Sequence, residues 1–301
     1  VTAAMSLTQI RITCIRHSAF YSPLLYTIRS GLLEAEGLQP CYKPSTPQSP
    51  AIEQVKSGAA HISQAAVAVS FAELEKGVKQ PEIVHFAQIN SRDGFFLCRR
   101  GGASDKFTLH DLEHQEVLVD HLFQPLATLK YACHLHGADY SKIRVVDAGD
   151  PAAMEKAFRE GRGGFLHAQG PVPQQLEHEG LASVAMSMGD ALGPISFSTL
   201  CAKRSWLETD MARAFLRAYA QGRKACAEQT PEQLAEVVQP FFEEIEPAVL
   251  RATIACYQKM GTWDGDLAVS SDTYETLLDA FLYAGLITRR HPYEAAISRI
   301  E

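Results

Sequence analysis

Short polar stretches follow apolar, alternating runs along this chain, and those stretches hold the side chains able to do chemistry. After the run Gln9–Ile15 come His17, Ser18, Phe20, Tyr21 and Ser22, just ahead of Pro23. Hydroxyls and backbone amides at the start of a helix suit a polar or anionic ligand; Ser22 could equally be an ordinary helix cap. Ser45, Thr46 and Gln48 stand in a Pro-rich turn, Gln64 and Ala65 end a third run, and Gln88 ends a fourth. Each alone reads as a capped turn, while together they give the few polar groups a pocket needs. Further on, His121, Phe123 and Gln124 precede Pro125, and His167 and Gln169 end another run. An aromatic ring and a histidine facing the first group would clamp a ring or an anion; Phe123 could also be the apolar anchor of a solvated loop.

Several other clusters fail as reactive or metal-binding sites. His110 and His114 sit in His-Asp-Leu-Glu-His, which is not the HExxH of a zinc hydrolase. Cys133, His134 and His136 cannot share one helical face. Gly161 to Gly164 lacks the Lys-Ser/Thr ending of a phosphate loop. Arg99 and Arg100 read as a solvated flank of a crossing between lobes. The seven cysteines contain no CxxC pair, and burial as small apolar residues accounts for them. No nucleophile–base constellation emerges, so the expectation is no catalytic residue, no metal and no cofactor.

The elements that position these groups follow from periodicity. A run of period two at Gln9–Ile15 reads as a strand, and further strands are read at about Leu38–Lys43, around Ile62 and at Glu82–Gln88. Helical spacing fills the intervals: Leu24 to Leu33 running down to Gly37, a helix from Ala51, and one at Val67–Leu74. Phe95–Cys98 reads as a strand crossing into a second lobe. A second alternation follows: Glu116–Val119, a helix at about Leu126–Leu135, Ile143–Val146, Ala152–Arg159, Phe165–His167, Val172–His178 and Ala182–Met186. Gly193–Cys201 reads as a strand that crosses back, and everything after Trp206 is helical and caps one lobe. Such alternation builds mainly parallel sheets with right-handed crossovers, whose ligands lie at the carboxyl ends of the strands. The expected fold is α/β and two-lobed, with lobe one at 1–95 plus 196–301, lobe two at 96–195, and a cleft at the double crossing.

Composition narrows the partners. A net charge of −7 gives no overall attraction for phosphate backbones. No run approaches the ~18 apolar residues of a membrane-spanning helix. The first residues lack the basic start and apolar run of a signal peptide. The expected location is therefore periplasmic if a leader was removed and cytoplasmic otherwise; Met5 could be the true start. Seven unpaired thiols sit more easily in a reducing compartment.

Tyr21-Ser22-Pro23-Leu24-Leu25-Tyr26 and Gly31-Leu32-Leu33-Glu34-Ala35-Glu36-Gly37-Leu38 resemble the opening of binding proteins for nitrate, sulfonate, taurine and thiamine-pyrimidine precursors. Ser57-Gly58-Ala59-Ala60-His61-Ile62 is similar to a following step of that family, with His61 where Asp is usual. Gly193-Pro194-Ile195-Ser196-Phe197 is similar to its return crossing, and Gly222 to Glu275, with Pro231, Pro240-Phe241-Phe242 and Trp263, to its last helices. The resemblance covers nearly the whole chain and implies a type-two periplasmic-binding fold, with Pro194 at the ligand. It also implies a solute-binding role and, as partners, a small molecule and the permease of an ABC transporter. One departure lies at Gly161-Arg162-Gly163-Gly164-Phe165, where an acidic position of the family becomes basic or small. Two enzymes of the family are poor matches. The pyrimidine-precursor synthase has a cofactor-binding Lys where this chain has Gln64, Ala65 and Ala66, and the desulfinase has a Cys where this chain has Ser18. The function expected is capture of a small polar or anionic solute of the sulfonate, pyrimidine-precursor or aromatic-acid class. A cytoplasmic enzyme or a ligand sensor on the same fold is the alternative.

Overall fold

A computed structural model describes residues 7–102 and 106–300. The first strand, β1 (Thr8–Cys14), buries Ile10, Ile12 and Cys14 on one side. Ser18 then starts a single 3-10 turn by accepting a hydrogen bond from the Phe20 N–H, and the turn runs into α1 (Ser22–Arg29) with Pro23 in its first turn. The single helix expected down to Gly37 is two. Gly31 adopts a left-handed φ of 83°, which interrupts the ladder before the short α2 (Leu32–Ala35). The alternation continues as β2 (Leu38–Tyr42), α3 (Ala51–Ser57), β3 (Ile62–Ala66), a 3-10 turn into α4 (Phe71–Glu75), and β4 (Ile83–Asn90).

The chain crosses over and continues as β5 (Phe95–Arg100), β6 (Glu116–Leu118), α5 (Phe123–Leu135), β7 (Arg144–Val146), α6 (Pro151–Arg159), β8 (Phe165–Gln169), α7 (Val172–His178), β9 (Ala182–Ser187) and α8 (Met188–Leu192). It returns as β10 (Ser198–Lys203) and ends in α9 (Asp210–Glu228), α10 (Pro231–Val238), α11 (Pro247–Lys259), α12 (Ser271–Tyr283) and the short α13 (Tyr293–Ala296).

Two five-stranded sheets result, ordered β2-β1-β3-β10-β4 and β7-β6-β8-β5-β9. The α/β, two-lobed architecture matches the expectation, and each sheet keeps a parallel half: β1 with β2 and β3, β6 with β7 and β8. Both are nonetheless mixed. Each receives one strand directly from the other sheet, and a strand that arrives by crossing enters against the prevailing direction. So β10 lies antiparallel between β3 and β4, and β5 antiparallel between β8 and β9.

Three further differences have local causes. Helix α5 begins at Phe123, three residues before the expected Leu126, because Pro125 falls inside the first turn, where no donor is missed. The return strand starts at Ser198 instead of Gly193, since Gly193 holds a φ of 71° and Pro194 follows it. The closing helices do not cap one lobe alone: α9 packs on α1 and α2, but α11 meets α7 and α12 meets α5.

Aromatic residues fill the junction between the sheets. Trp263 Nε1 donates to the Phe20 carbonyl at 3.1 Å. The Tyr257 hydroxyl donates to the Gly94 carbonyl at 3.0 Å and accepts from the Gly170 N–H at 2.9 Å, tying the first crossing to the end of β8. Gly94 is required there, because a Cβ at that position would lie 2.4 Å from the Phe20 ring.

Candidate functional site

Strand ends from both sheets converge on one cavity of about 180 Å³. Ile15 and Arg16 follow β1, Gln64 and Ala66 belong to β3, and Ser198 opens β10. From the other side come Gln169 at the end of β8 and Phe123, Gln124 and Pro125 in the first turn of α5. Tyr21, Phe95 and Phe197 add aromatic wall. Phe123, 71% exposed, and Leu122, 48% exposed, stand at the mouth.

An ion pair joins the two sheets. Arg16 Nη1 meets Asp120 Oδ2 at 2.7 Å, and the guanidinium lies 5.4 Å over the Phe95 ring. Asp120 follows β6, is nearly buried, and also accepts from the Leu122 N–H at 2.9 Å. Burial pulls its carboxyl upward, but the charge and hydrogen bond of Arg16 outweigh that and leave it below the usual carboxylate range.

The amide side chains are held by specific partners. Gln124 Nε2 donates to the carbonyls of Ser196 and Phe197 at 3.1 and 3.0 Å. A flipped amide would set oxygen against two carbonyl oxygens, so the orientation is fixed. Gln64 Oε1 accepts from the Arg16 N–H at 3.2 Å, and its Nε2 donates to Ser198 Oγ at 3.3 Å. Gln169 Nε2 donates to the Tyr21 hydroxyl at 3.3 Å. Three buried atoms of this wall have no partner among the described residues: Arg16 Nη2, Gln124 Oε1 and Gln169 Oε1. Leaving such groups unpaired costs about 1–3 kcal/mol each, and a bound molecule relieves that cost.

A second cavity of about 180 Å³ lies behind the ion pair and shares Arg16 and Gln169 with the first. Ser18, Asp120 and His167 line it. His167 is fully buried, stacks on Phe95 at 4.7 Å between ring centroids, and has no partner on either ring nitrogen among the described residues. Burial lowers its pKa to about 4, so the ring is neutral near pH 7.

The structure brings part of the expected set together. Tyr21, Gln64, Phe123, Gln124 and Gln169 line the front cavity; His17, Ser18, His167 and Gln169 line the rear one. His17 also bonds to the Tyr42 hydroxyl at 2.8 Å and the Phe241 carbonyl at 2.9 Å, and Ser18 Oγ donates to the Gly170 carbonyl at 2.7 Å. The others lie elsewhere. Phe20 is core, and Ser22 Oγ donates to the Ala19 carbonyl at 2.6 Å. Ser45, Thr46 and Gln48 form an outlying turn in which Thr46 Oγ1 accepts from the Ser49 N–H at 3.2 Å. Ala65 packs in a satellite core with Val55, Ile83 and Cys201. Gln88 is buried in β4, where its carbonyl accepts from Tyr219 at 3.0 Å. His121 is exposed and donates to the Val119 carbonyl at 2.6 Å, and Pro194 is exposed.

Arg16 and Asp120 went unrecognised in the sequence. The signal was available: Arg16 and Asp120 each stand two residues past the end of a parallel strand, as the rule for open sheets prescribes. Phe95, Phe197 and Ser198 read as strand residues, and nothing in their periodicity marks them as wall. Among the described residues no group of three or more His, Cys, Asp or Glu is placed to hold a metal ion, and no helix is long and apolar enough to cross a membrane. The seven cysteines are free, five of them buried.

With this geometry established, the likenesses to known proteins are informative. Residues 19–233 match the family model described as NMT1/THI5 like. YtlA of Bacillus subtilis (strain 168), provisionally named a binding protein, is 23% identical over 98% of this chain and 89% of its own. The ligand-binding component of an ABC-type import system from Staphylococcus aureus, solved with zinc bound, superposes with a TM-score of 0.77 at 16% identity, covering 97% of each chain. The periplasmic aliphatic sulphonate-binding protein SsuA of Escherichia coli superposes with a TM-score of 0.75 at 16% identity, covering 98% of this chain and 94% of its own. At these identities the solved structures establish the fold.

Proposed function

The chain belongs to the NMT1/THI5-like family, and from that premise we propose that it binds one small solute between its lobes and delivers it unchanged to an ABC-type membrane importer. The observation that carries this reading is the front cavity, walled by strand ends of both sheets and furnished with buried polar atoms that lack a partner. Ligands of open α/β sheets sit in that position, and clefts at domain interfaces are preferred sites for them. The lobes are 1–95 plus 196–301 and 96–195, and closure about the two crossings encloses the ligand. The binding set is Tyr21, Gln64, Phe123, Gln124 and Gln169, with Arg16 and Asp120 joining the two sides. The fold relatives named as import and sulphonate-binding proteins support a transporter as the receiving partner.

An importer's carrier meets its ligand on the outer side of the membrane, and the periplasm is the location proposed. The buried thiols tolerate that compartment. Burial, the largest influence at each, raises Cys14 to about 11 and Cys133 and Cys201 to about 12, far from the thiolate form that oxidises.

The test is a thermal-shift screen on protein unfolded, dialysed and refolded to strip carried ligand, against sulfonates, nitrate, pyrimidines, flavins and aromatic acids. Ligand at about 100 times its dissociation constant adds roughly 2.7 kcal/mol. A shift with one class, and recovery of the compound unchanged, is the expected result. A blank panel on correctly refolded protein, or conversion of the compound, counts against solute carriage.

A further inference from the structure

The charges along the cleft compensate one another. Arg16 is the one formal cation among the residues lining the front cavity, and its guanidinium is held at 2.7 Å by the Asp120 carboxylate. An organic anion would reach Arg16 only by displacing Asp120 or by sitting beside it. Either leaves a nearly buried carboxylate without its partner, which is strongly unfavourable. The cationic wall that an anion needs is already neutralised.

The hydrogen-bonding inventory points the same way. Gln124 is fixed by its two carbonyl acceptors, so the atom it has to spare, Oε1, is an acceptor. Gln169 meets the Tyr21 hydroxyl, which can donate or accept, so its spare amide atom serves as either donor or acceptor, and Arg16 Nη2 is a spare donor. A carboxylate or sulfonate offers acceptors alone and would set one of them against the fixed Gln124 oxygen. A carboxamide or sulfonamide supplies N–H donors and an oxygen together. Phe123, exposed at the mouth, provides surface for a flat ring beside that polar edge, whereas Phe95 is already stacked on His167 and lies under Arg16.

We propose that the cleft selects an uncharged, flat, amide-bearing ligand, and that Asp120 determines this selectivity by holding Arg16 neutralised against organic anions. The inference rests on the reading of the cleft as the binding site. It departs from the aliphatic sulphonates named for one of the fold relatives.

The experiment uses two matched pairs with the refolded full chain: benzamide against benzoate, and benzenesulfonamide against benzenesulfonate. Dissociation constants come from ligand-observed NMR for the wild type and Asp120→Asn. The wild type is expected to favour each neutral member by roughly tenfold or more, and Asp120→Asn to bring a gain of roughly tenfold for the anions alone. Should Asp120→Asn not fold, the charge-free double variant Arg16→Gln/Asp120→Asn is read in its place and is expected to favour the neutral members. A wild type that prefers either anion overturns the inference, as does an anion-to-amide ratio that Asp120→Asn leaves unchanged. Silence of all four probes in both proteins also overturns it. A blank solute screen would then sink the binding reading too, whereas a solute hit would leave that reading standing.

Discussion

Replacing Arg16 by Met keeps most of the side chain's length and removes the cation paired with Asp120. The carboxylate is then left with 6% side-chain exposure and one remaining partner, the Leu122 N–H at 2.9 Å. Breaking a buried pair from one side costs about 3–5 kcal/mol. Here the retained N–H and the 15% exposure of Arg16 lower the expected loss to about 2–3 kcal/mol. With about 2.1 cal/mol/K of unfolding entropy per residue, that lowers the melting temperature by about 3–5 °C at pH 7. The loss depends on pH in a defined direction. In the wild type Asp120 sits below its unfolded value, so the pair stabilises above pH ~4 and its contribution is lost as pH falls through the folded value. In the variant, burial without Arg16 raises Asp120, and acid neutralises the stranded charge. The two melting curves therefore converge on acidification. Scanning calorimetry of both proteins from pH 7 to pH 4 measures this. A gap under about 1 °C at pH 7, or one constant across the series, would refute the assignment of Asp120 as a buried carboxylate dependent on Arg16.

Tyr257→Phe strips a donor from the Gly94 carbonyl and an acceptor from the Gly170 N–H, with an expected loss of about 2–4 kcal/mol read by urea denaturation. Asp93 lies fully buried in the first crossing, and burial raises its pKa to about 7. Its ionised form is therefore favoured in the unfolded chain, and the neutral Asp93→Asn is expected to be more stable. The advantage grows by up to about 1.4 kcal/mol per pH unit from about pH 4 to about pH 7 and is flat above; urea midpoints at three pH values check this. His85 is fully buried, donating and accepting only within a network of Ser70 and Thr199, and burial lowers its pKa to about 3. With His167 it stays neutral while the unfolded chain protonates, so the pair contributes stability above pH ~6.5 that is lost on acidification, at up to about 1.4 kcal/mol per unit for each ring. His85→Gln is expected to make that acid loss shallower in the same urea series. Native protein is expected to leave Cys98, Cys201 and Cys226 unlabelled by a thiol reagent at pH 8 until denaturant is added, since each is fully buried.

The parallel half of each sheet was legible because β1 and β6 carry their own apolar runs and each is followed by a helix. The antiparallel insertion of β5 and β10 was not. The short apolar run Phe95–Cys98 reads as a strand but is silent on the direction from which it enters a sheet. The site was half legible for a related reason. The strand-end rule picked out several loops that border the front cavity, with Tyr21, Gln64, Phe123, Gln124 and Gln169 among its lining, and also the outlying turn of Ser45, Thr46 and Gln48. It could not separate these from Phe20 or Ser22 in the same loop, because a one-residue step in the turn after Ser18 decides between core and cleft. Asp120 and Arg16 are 104 positions apart and become partners only when the two sheets are brought together.

The central claim, that one small molecule binds between the sheets, is tested most directly by calorimetric titration. The solute that most stabilises the refolded protein is titrated into the wild type and into the cleft variant Phe123→Ala/Gln124→Leu. One molecule per chain is predicted for the wild type, with a negative heat-capacity change from apolar burial. In the variant the affinity is predicted to fall by roughly tenfold or more, for the lost ring contact and hydrogen bond together. Undiminished affinity in the variant would place the ligand elsewhere and contradict the account.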